Sequence, residues 1–368
     1  MNGPVVAAIT LHPAGGGVAA VARLLWQVVQ TRWGGDARLI TLLAGSDGGA
    51  LDSSTAERVR FGARVAMEQV TGRCPWVFYS HLSLAKVQRY VPAGRRHPYM
   101  VFLHGIEAWR PLSRFHARLL ARAVLRVANS HYTADRVRQV HPEIGPVATC
   151  PLALPPPATT GGLAAAAVEL GPHAVVIVAR MSAAERYKGH DALLAAWPAV
   201  RARQHEAQLV FVGGGDDEGR LRAKAAELGL AAHVLFTGFV GEAELGAIYA
   251  RAAVFAMPSR GEGFGIAYLE AMAHAIPCIG SIHDAAREVI DDGVTGFLVD
   301  QADPSALADR ISDLLGADAR RREMGQAGRR RLEARFTIDR FAARLGELIE
   351  GVLPADDPSL VRHRGRSA

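Results

Sequence analysis

Short apolar runs alternate with stretches of helical periodicity through the first 150 residues. The first run, residues 5–11, is followed by the glycines Gly15, Gly16 and Gly17 and then by apolar residues at helical spacing. Four further strand-length runs are predicted, at residues 37–43, 76–80, 99–103 and 124–128. Strands that alternate with helices are typical of a parallel sheet covered on both faces. The pattern therefore predicts one Rossmann-like domain over residues 1–153.

Three consecutive prolines interrupt this alternation at residues 155–157. Proline fixes φ and lacks an N–H donor, so we expect an interdomain linker at residues 154–171. The alternation then restarts and predicts a second Rossmann-like domain over residues 172–335, with strands at 173–179, 208–212, 233–237 and 254–257 and helices at about 191–203, 216–228, 242–250 and 265–273. A last helix at 336–353 is predicted to return toward the N-terminal domain, ahead of a loose polar tail at 354–368.

Length and composition agree with a two-domain globular protein. The 368 residues exceed one ordinary core, and 49% hydrophobic with 21% charged residues excludes a mainly disordered chain. The three cysteines are far apart and form no Cys-x-x-Cys pair, which excludes a disulfide framework or a cysteine-rich zinc site. The sequence has no signal-like start and no run of 18 apolar residues, so we expect a cytoplasmic protein.

Positive charge is concentrated in one part of the first domain. Residues 69–134 contain ten lysines and arginines and a single acid, Glu107. Five arginines recur there every fourth residue, which predicts an amphipathic helical element with a basic stripe: Arg110, Arg114, Arg118, Arg122 and Arg126. The stripe has two interpretations, a solvated face or a surface formed by the first four that docks an anionic membrane or a charged acceptor. Nucleic-acid binding is not expected, because no aromatic platform accompanies the charge.

A glycine-rich segment in the second domain has the pattern of a phosphate-binding loop. Gly261, Gly263 and Gly265 follow the strand at 254–257 and lead into a helix, whose N-terminus attracts anions. Glu262 lies in the loop and Glu270 about one and a half turns into the helix, so two carboxylates are available for ligand hydroxyls.

Cationic and imidazole side chains follow other predicted strands. Arg180 ends the strand at 173–179, and Lys188, one of only three lysines, precedes Gly189. Arginine clamps a phosphate and lysine neutralises it, which suits a leaving diphosphate. In the first domain, His104 follows the strand at 99–103, where reacting groups are expected. Asn129 and Ser130 are predicted mainly to cap the helix that follows them.

In this order, these motifs resemble the retaining glycosyltransferases of family 4, which have the GT-B fold of two Rossmann-like domains facing a cleft. The matching marks are the first glycine loop, His104-Gly-x-Glu107, the Arg180 and Lys188-Gly189 pair, and Glu262 with Glu270 in an E-x7-E motif, together with Asn129-Ser130, Gly213-Gly-Gly215, Phe236-Thr-Gly238-Phe239, Pro277 and Asp292-Gly293-x-x-Gly296. Each motif alone is weak, but their common order is specific and covers nearly the whole chain.

The resemblance implies roles for individual residues. Glu270 would hold the ribose of a nucleoside diphosphate sugar, Arg180 and Lys188 its diphosphate, and the Gly16 and Gly17 amides its distal phosphate. Glu262 with the amides of the loop would contact the sugar, and His104 would bond it near the reacting centre. The implied donor site also includes Gly213, Phe239, Gly263, Phe264, Gly265 and Ile266. In this family the leaving phosphate accepts the acceptor's proton, and neither a metal nor a cofactor is expected.

The sequence thus predicts a retaining, metal-independent hexosyltransferase that acts in cell-surface polysaccharide, lipopolysaccharide or glycolipid synthesis. Its partners would be a UDP- or GDP-sugar, a glycan or glycolipid acceptor bound by the N-terminal domain, and the inner face of a membrane. The alternatives are transfer to a soluble acceptor, a GT-B sugar-nucleotide epimerase, and a catalytically silent nucleotide-sugar-binding partner. The spacing from Arg180 to Lys188 exceeds the family's usual one and includes Arg186, so which cation meets which phosphate stays open.

Overall fold

The computed structural model describes residues 3–12, 15–43, 53–154 and 169–352. Their contacts form two compact units: the first unit comprises residues 3–154 together with 338–352, and the second unit residues 169–337. Most of the predicted linker and all of the predicted tail lie outside the described residues.

The described part of the first unit contains a six-stranded parallel sheet. Its strand order is β2-β1-β3-β4-β5-β6, with β1 at Val5–Ala8, β2 at Arg38–Thr41, β3 at Val77–Tyr79, β4 at Tyr99–Leu103, β5 at Leu125–Ala128 and β6 at Ala148–Thr149. Most strand residues are buried on both faces, which explains why these strands appear in the sequence as continuous apolar runs. Strand β6 was not predicted, because its two residues are too few to form an apolar run.

Helices cover this sheet, and several begin at side-chain caps. They are α1 (Gly16–Trp33), α2 (Thr55–Val70), α3 (Arg114–Arg122), α4 (His131–Val140) and, from the chain's last described segment, α12 (Ile338–Glu350). The hydroxyl of Ser130 accepts a bond from the Thr133 amide, so it caps α4 as predicted. Helix α12 buries Phe341, Leu345 and Ile349, and Arg344 donates to the Thr149 carbonyl of β6.

The predicted helical stripe of arginines over residues 110–126 is wrong as one element. Helix α3 ends at Arg122, and Arg110 lies in the turn before it. Arg126 belongs to β5, is only 8% exposed, and donates to the carbonyls of Leu120 and Ala123 at 2.8 and 2.7 Å. It therefore supplies further donors to the carbonyls at the end of α3. Arg114, Arg118 and Arg122 share one exposed helix.

The second unit is also a parallel α/β structure. Its sheet has the order β12-β11-β10-β7-β8-β9, with β7 at Ala174–Val178, β8 at Gln208–Val212, β9 at Val234–Gly238, β10 at Val254–Ala256, β11 at Cys278–Ser281 and β12 at Gly296–Val299. The helices are α5 (His190–Arg203), α6 (Glu218–Glu227), α7 (Glu242–Arg251), α8 (Ile266–Ala273), α9 (Ala286–Val289), α10 (Pro304–Gly316) and α11 (Asp318–Arg335).

The elements between residue 278 and the last helix were not predicted individually, and α11 shows why. This arginine-rich helix packs through small residues: a Cβ on Gly325 would lie 1.8 Å from the Ala275 carbonyl oxygen. A close approach of this kind leaves no apolar stripe in the sequence.

Strand order locates the place where a ligand is expected in each sheet. In the second unit, β7 and β10 are neighbours, and the chain continues outward from them in opposite directions. Ligands of open parallel sheets bind at the carboxyl ends of the strands at such a switch point. The segments after β7 and β10 begin with Ala179 and Met257, so Arg180 and the glycine-rich loop both lie there.

Candidate functional site

The loop after β10 is tight and requires glycine at two positions. A Cβ on Gly261 would lie 2.8 Å from the ring of Tyr187, and one on Gly265 would lie 2.3 Å from the ring of Tyr268. Gly265 also has φ of +92°, a conformation that other residues adopt only with strain. The loop backbone is therefore held close to two aromatic rings.

Helix α8 begins directly after this loop. Gly265 is its N-cap and supplies no side chain to the amides of the first turn, beginning at Ile266. Phe264, in contrast, is buried and packs on Phe336 with ring centroids 5.8 Å apart. Phe264 was predicted to contact the sugar nucleotide. Its side chain instead anchors the loop, so only its backbone can face a ligand.

Lys188 and Glu262 form an ion pair beside the loop. Lys188 Nζ lies 2.6 Å from Glu262 Oε2, and the two side chains are 18% and 16% exposed. Burial is the largest single influence and lowers the pKa of Lys188, but the charge and hydrogen bond of Glu262, together with Tyr187 and Glu185, outweigh it, so the net pKa is raised. The lysine therefore carries a full charge at neutral pH, and two of its three N–H donors are left for another acceptor.

The segment between Arg180 and Lys188 is what places this ammonium group. Residues 183–188 form a 3₁₀ turn whose start is capped by the Ser182 hydroxyl. The Tyr187 carbonyl accepts from the Arg260 amide at 3.0 Å. Gly189 has φ of +107°, and a Cβ there would lie 2.9 Å from the Pro258 carbonyl oxygen. Both neighbours of Lys188 are thus fixed against the loop that carries Glu262.

Arg180 and Arg186 have different environments. The side chain of Arg180 is 63% exposed, with one nitrogen 2.6 Å from Glu185 Oε1. Arg186 donates to both carboxylate oxygens of the buried Asp217, at 3.0 and 2.7 Å. Asp217 also accepts from Arg220, and the two arginines hold the pKa of this carboxyl well below its usual range. Arg186 therefore belongs to a structural network, whereas Arg180 has a solvent-facing guanidinium.

Glu270 is the fifth residue of α8 and is oriented by a buried tyrosine. Tyr249 of α7 donates its hydroxyl to Glu270 Oε2 at 2.9 Å. Burial raises the pKa of Tyr249 well above its usual value, so the phenol remains a donor. The ring of Tyr249 is itself stacked on His274 at 5.5 Å. Neither the motif nor the periodicity had pointed to Tyr249.

The structure places Gly213 and Phe239 at the ends of neighbouring strands. The Gly213 amide donates to the Gly238 carbonyl at 2.9 Å, and a Cβ on Gly213 would lie 2.3 Å from the Ala179 carbonyl oxygen. Gly213 therefore allows two segments to approach closely, and its amide is already used. Phe239 directly follows β9 and is 69% exposed, so its ring is accessible for stacking on a flat ligand.

In the first unit, Gly16 and Gly17 begin α1. Gly16 has φ of +57°, both glycines are exposed, and no atom lies within 4 Å of where their Cβ atoms would be. Gly15, the N-cap, provides no side-chain hydrogen bond to this helix start. These glycines are the first turn of the helix rather than a loop before it, and their amides are accessible for an anion.

His104 follows β4 and has a defined tautomer. Its Nε2 lies 2.6 Å from the Ser80 carbonyl oxygen, which can only accept, so Nε2 carries the proton. The backbone around it is held by Glu107, which accepts from the His104 amide at 2.5 Å, and by Asn129, which donates to the His104 carbonyl at 2.9 Å. A neutral His104 therefore offers Nδ1 as an acceptor.

Groups that could bind a metal ion and helices that could cross a membrane are both absent from the described residues. Within residues 3–12, 15–43, 53–154 and 169–352, no three His, Cys, Asp or Glu side chains are grouped so that they could hold a metal ion. None of the helices in those ranges has the length and apolar character needed to cross a membrane.

The second unit is similar to a family of known sequences. Residues 169–331 match the family model of glycosyl transferases group 1. A GDP-mannose-dependent alpha-(1-6)-phosphatidylinositol monomannoside mannosyltransferase of Mycobacterium tuberculosis is 40% identical over 171 residues, which are 45% of this chain and 44% of that protein. A D-inositol 3-phosphate glycosyltransferase of Corynebacterium jeikeium is 32% identical over 205 residues, 54% of this chain and 47% of that protein. The chain thus spans about half the length of these curated relatives.

Comparison with solved structures extends over nearly the whole chain. Sucrose-phosphate synthase from Thermosynechococcus elongatus aligns with 95% of this chain and 99% of its own, with a TM-score of 0.78 and 21% identity. Anabaena Alr3699/HepE, solved in complex with UDP and glucose, aligns with 95% of this chain and 100% of its own, with a TM-score of 0.71 and 17% identity. At these identities the likeness shows the fold, and the predicted class of two Rossmann-like parallel sheets is confirmed.

Proposed function

We propose, on the premise that residues 169–331 form a glycosyl transferases group 1 domain, that this protein transfers a hexose from a nucleoside diphosphate sugar to an acceptor. One observation carries the proposal: Lys188 and Glu262 are paired at the carboxyl ends of β7 and β10, where the strand order reverses. A fixed cation and a fixed carboxylate at that point suit a ligand with a diphosphate at one end and hydroxyls at the other.

The charges of the second unit fit the donor. Lys188 would bind the diphosphate with the N–H groups that Glu262 does not use, and Arg180, which faces solvent, would add a second cation. The negative charge on the leaving phosphate grows as the sugar–oxygen bond breaks, so cations already in place stabilise the transition state more than the ground state. Glu270, oriented by Tyr249, would accept from the ribose hydroxyls.

Within the second unit, the sugar would be bound by Glu262 and the amides of the loop. In the proposed retaining reaction, the bond from the sugar's anomeric carbon to the phosphate oxygen breaks while a bond to the acceptor oxygen forms on the same face. The acceptor's proton passes to the leaving phosphate, so no protein base is assigned. Nδ1 of His104 would accept a hydrogen bond from a sugar hydroxyl, since Nε2–H is donated to the Ser80 carbonyl. No metal is assigned to this reaction, because the two cations meet the donor's charge.

GDP-mannose is the donor we propose to test first. The mycobacterial relative, named for its dependence on GDP-mannose, aligns over 171 residues, about the length of the second unit. UDP-glucose is the second candidate, because the fold is shared with a protein solved with UDP and glucose. The exposed ring of Phe239 suits stacking on either base.

A phosphoinositol-containing lipid is the acceptor class we propose, in line with the mycobacterial relative, which is named for a phosphatidylinositol monomannoside. The corynebacterial relative is named for D-inositol 3-phosphate, which shares the phosphoinositol group without the lipid. Arg114, Arg118 and Arg122 on α3, with Arg110 before it, would then dock the first unit on an anionic membrane surface at the cytoplasmic face. Charge reversal at Arg114 and Arg118 is expected to reduce cosedimentation with phosphatidylinositol vesicles. Unchanged cosedimentation would favour the solvated-face interpretation and a soluble acceptor.

Donor binding tests the proposal without requiring an acceptor. Isothermal titration with GDP-mannose and with UDP-glucose should give binding by one of them, and Glu270→Ala should weaken it at least tenfold. Glu227→Ala removes an exposed glutamate from α6 of the same unit and should change nothing. If neither sugar nucleotide binds, or if both variants bind equally well, the assignment of the site is wrong.

Two alternatives make different predictions. A silent binding protein would bind the donor but never cleave it, even with acceptor present. An epimerase would need no acceptor. It would release either an isomerised sugar nucleotide or a free sugar together with the nucleoside diphosphate. The intact pair of Lys188 and Glu262, to which we assign a role in bond cleavage, supports an enzyme over the silent binding protein.

A further inference from the structure

A buried aspartate contacts the backbone of the candidate site from a third segment of the chain. Asp284 lies between β11 and α9 and is fully buried. Its Oδ2 accepts from the Glu262 amide at 3.0 Å, and its Oδ1 accepts from the Ala286 amide at 3.0 Å. No sequence motif had marked this residue, which is 22 positions from Glu262.

The contact with Glu262 is made on both sides of its peptide backbone. The next residue, Ala285, donates its amide to the Glu262 carbonyl at 3.2 Å. The main chain of Glu262 is therefore bound through its N–H and its C=O by two consecutive residues, while its side chain binds Lys188. Movement of the loop at Glu262 would break all three bonds.

An ionised carboxylate makes both bonds of Asp284 at full strength. Each oxygen accepts from a different backbone N–H; the hydroxyl oxygen of a protonated acid is a weaker acceptor, and an asparagine would present its NH2 donor to one of these amides. A buried amide left without an acceptor is costly. A buried charge is also costly, and it is kept where its hydrogen bonds are specific.

We propose that Asp284 is a positioning residue for the transfer reaction: its carboxylate clamps the backbone of Glu262 and keeps that side chain and the following loop amides aligned beside Lys188. This inference rests on the proposed function for its catalytic consequence. The clamp itself is a property of the fold and can be measured separately.

The clamp gives the site a defined response to pH. Burial and the negative charge of Glu262 raise the pKa of Asp284 to about 7, although the two backbone N–H groups oppose the rise. The other groups facing it are Lys188, which lowers this pKa, and Tyr268, whose own pKa is raised well above its usual value. Asp284 is thus protonated below about pH 7 and ionised above it, so the clamp forms as the pH rises.

Hydrogen exchange of the intact protein tests the clamp without any assay of activity. We compare wild type with Asp284→Asn, and use Asp303→Asn as the matched control, since Asp303 also accepts a backbone amide but at the start of α10. In Asp284→Asn, peptides covering residues 259–266 should exchange about tenfold faster, the effect of losing a buried hydrogen bond of ordinary strength. Unchanged exchange in that segment overturns the clamp. If Asp284→Asn does not fold, the wild type decides: its protection at 259–266, corrected for intrinsic rates, must fall as the pH is lowered through 7.

Kinetics then test the positioning role. With the donor that wild type uses, Asp284→Asn should lower kcat at least tenfold while KM for the donor changes less than threefold. Wild-type kcat should rise with pH around a midpoint near 7, and the variant should be low and flat across that range. The positioning role is overturned if kcat of Asp284→Asn equals that of wild type, or if kcat of the variant still rises with pH around 7. If wild type transfers from no donor, the proposed function fails while the exchange result on the clamp still stands.

Discussion

Lys188 and Glu262 are 74 positions apart in the chain, yet their charged groups lie 2.6 Å apart. The contact depends on the 3₁₀ turn before Lys188 and on the glycine loop around Glu262, which pack on each other through Tyr187 and Gly261. The pair therefore links the segments after β7 and β10, the two neighbouring strands at which the sheet order reverses. It is the structural basis of the proposed donor site.

Replacing Lys188 by alanine should lower kcat by about 100-fold to 1000-fold, the usual cost of losing one preorganised group that stabilises transition-state charge. Lys224→Ala is the matched control, since Lys224 also pairs with a carboxylate at 2.6 Å, that of Asp191, but outside the site. Steady-state transfer rates of the two variants make the comparison. Equal losses would mean that Lys188 acts only through stability.

Arg180 and Arg186 should differ in what their removal affects. Arg180→Ala should lower kcat and raise KM for the donor, by about tenfold in kcat/KM, and leave the melting temperature unchanged, because this guanidinium is exposed. Arg186→Ala should leave KM unchanged and lower the free energy of unfolding by about 1–3 kcal/mol, because it leaves the buried Asp217 with fewer donors. Donor titrations and thermal melts separate the two effects, and the reverse pattern would exchange the two roles.

Gly265→Ala should destabilise the protein strongly. The new Cβ would have to fit 2.3 Å from the ring of Tyr268 at a φ of +92°, and we expect a loss of about 2–4 kcal/mol. Gly246→Ala adds a Cβ in open space on α7 and should stabilise by about 0.5–1 kcal/mol. Denaturant titration measures both changes. Similar behaviour of the two variants would show that the loop is less constrained than described.

His190 should make stability depend on pH. Burial lowers its pKa from 6.5 to about 4, so the unfolded chain binds a proton that the folded protein does not between those values. Its contribution to stability is therefore present above about pH 6.5 and is lost as the pH falls toward 4, by up to about 3 kcal/mol. His190→Phe, which keeps a ring against Phe211, should lack this loss. Parallel pH slopes for wild type and variant would refute the assignment.

The sequence was informative where one segment alone determines the structure. Strands Tyr99–Leu103 and Gln208–Val212 have the bounds that were predicted, because a strand buried on both faces is a continuous apolar run. The Gly-rich loop and the position of Glu270 on α8 also follow from local spacing.

What the sequence did not reveal depends on contacts between distant segments. Asp284, Tyr249 and Tyr187 contact residues of the candidate site from segments that meet only in the folded unit, and none of the three belongs to a sequence pattern. The arginine stripe failed for a related reason. A four-residue recurrence continues past Arg122, but it does not show that the helix ends there and that Arg126 turns inward to bind its carbonyls.

The most direct test of the central claim is a transfer assay in which wild type, Lys188→Ala and Lys224→Ala are incubated with GDP-mannose or UDP-glucose and phosphatidylinositol vesicles. Released nucleoside diphosphate and the anomeric configuration of the product are measured together. We predict release from one donor, a product that keeps the donor's α configuration, and loss of both only in Lys188→Ala. Tight donor binding with no cleavage would contradict transfer, and an inverted product would contradict the proposed retaining reaction.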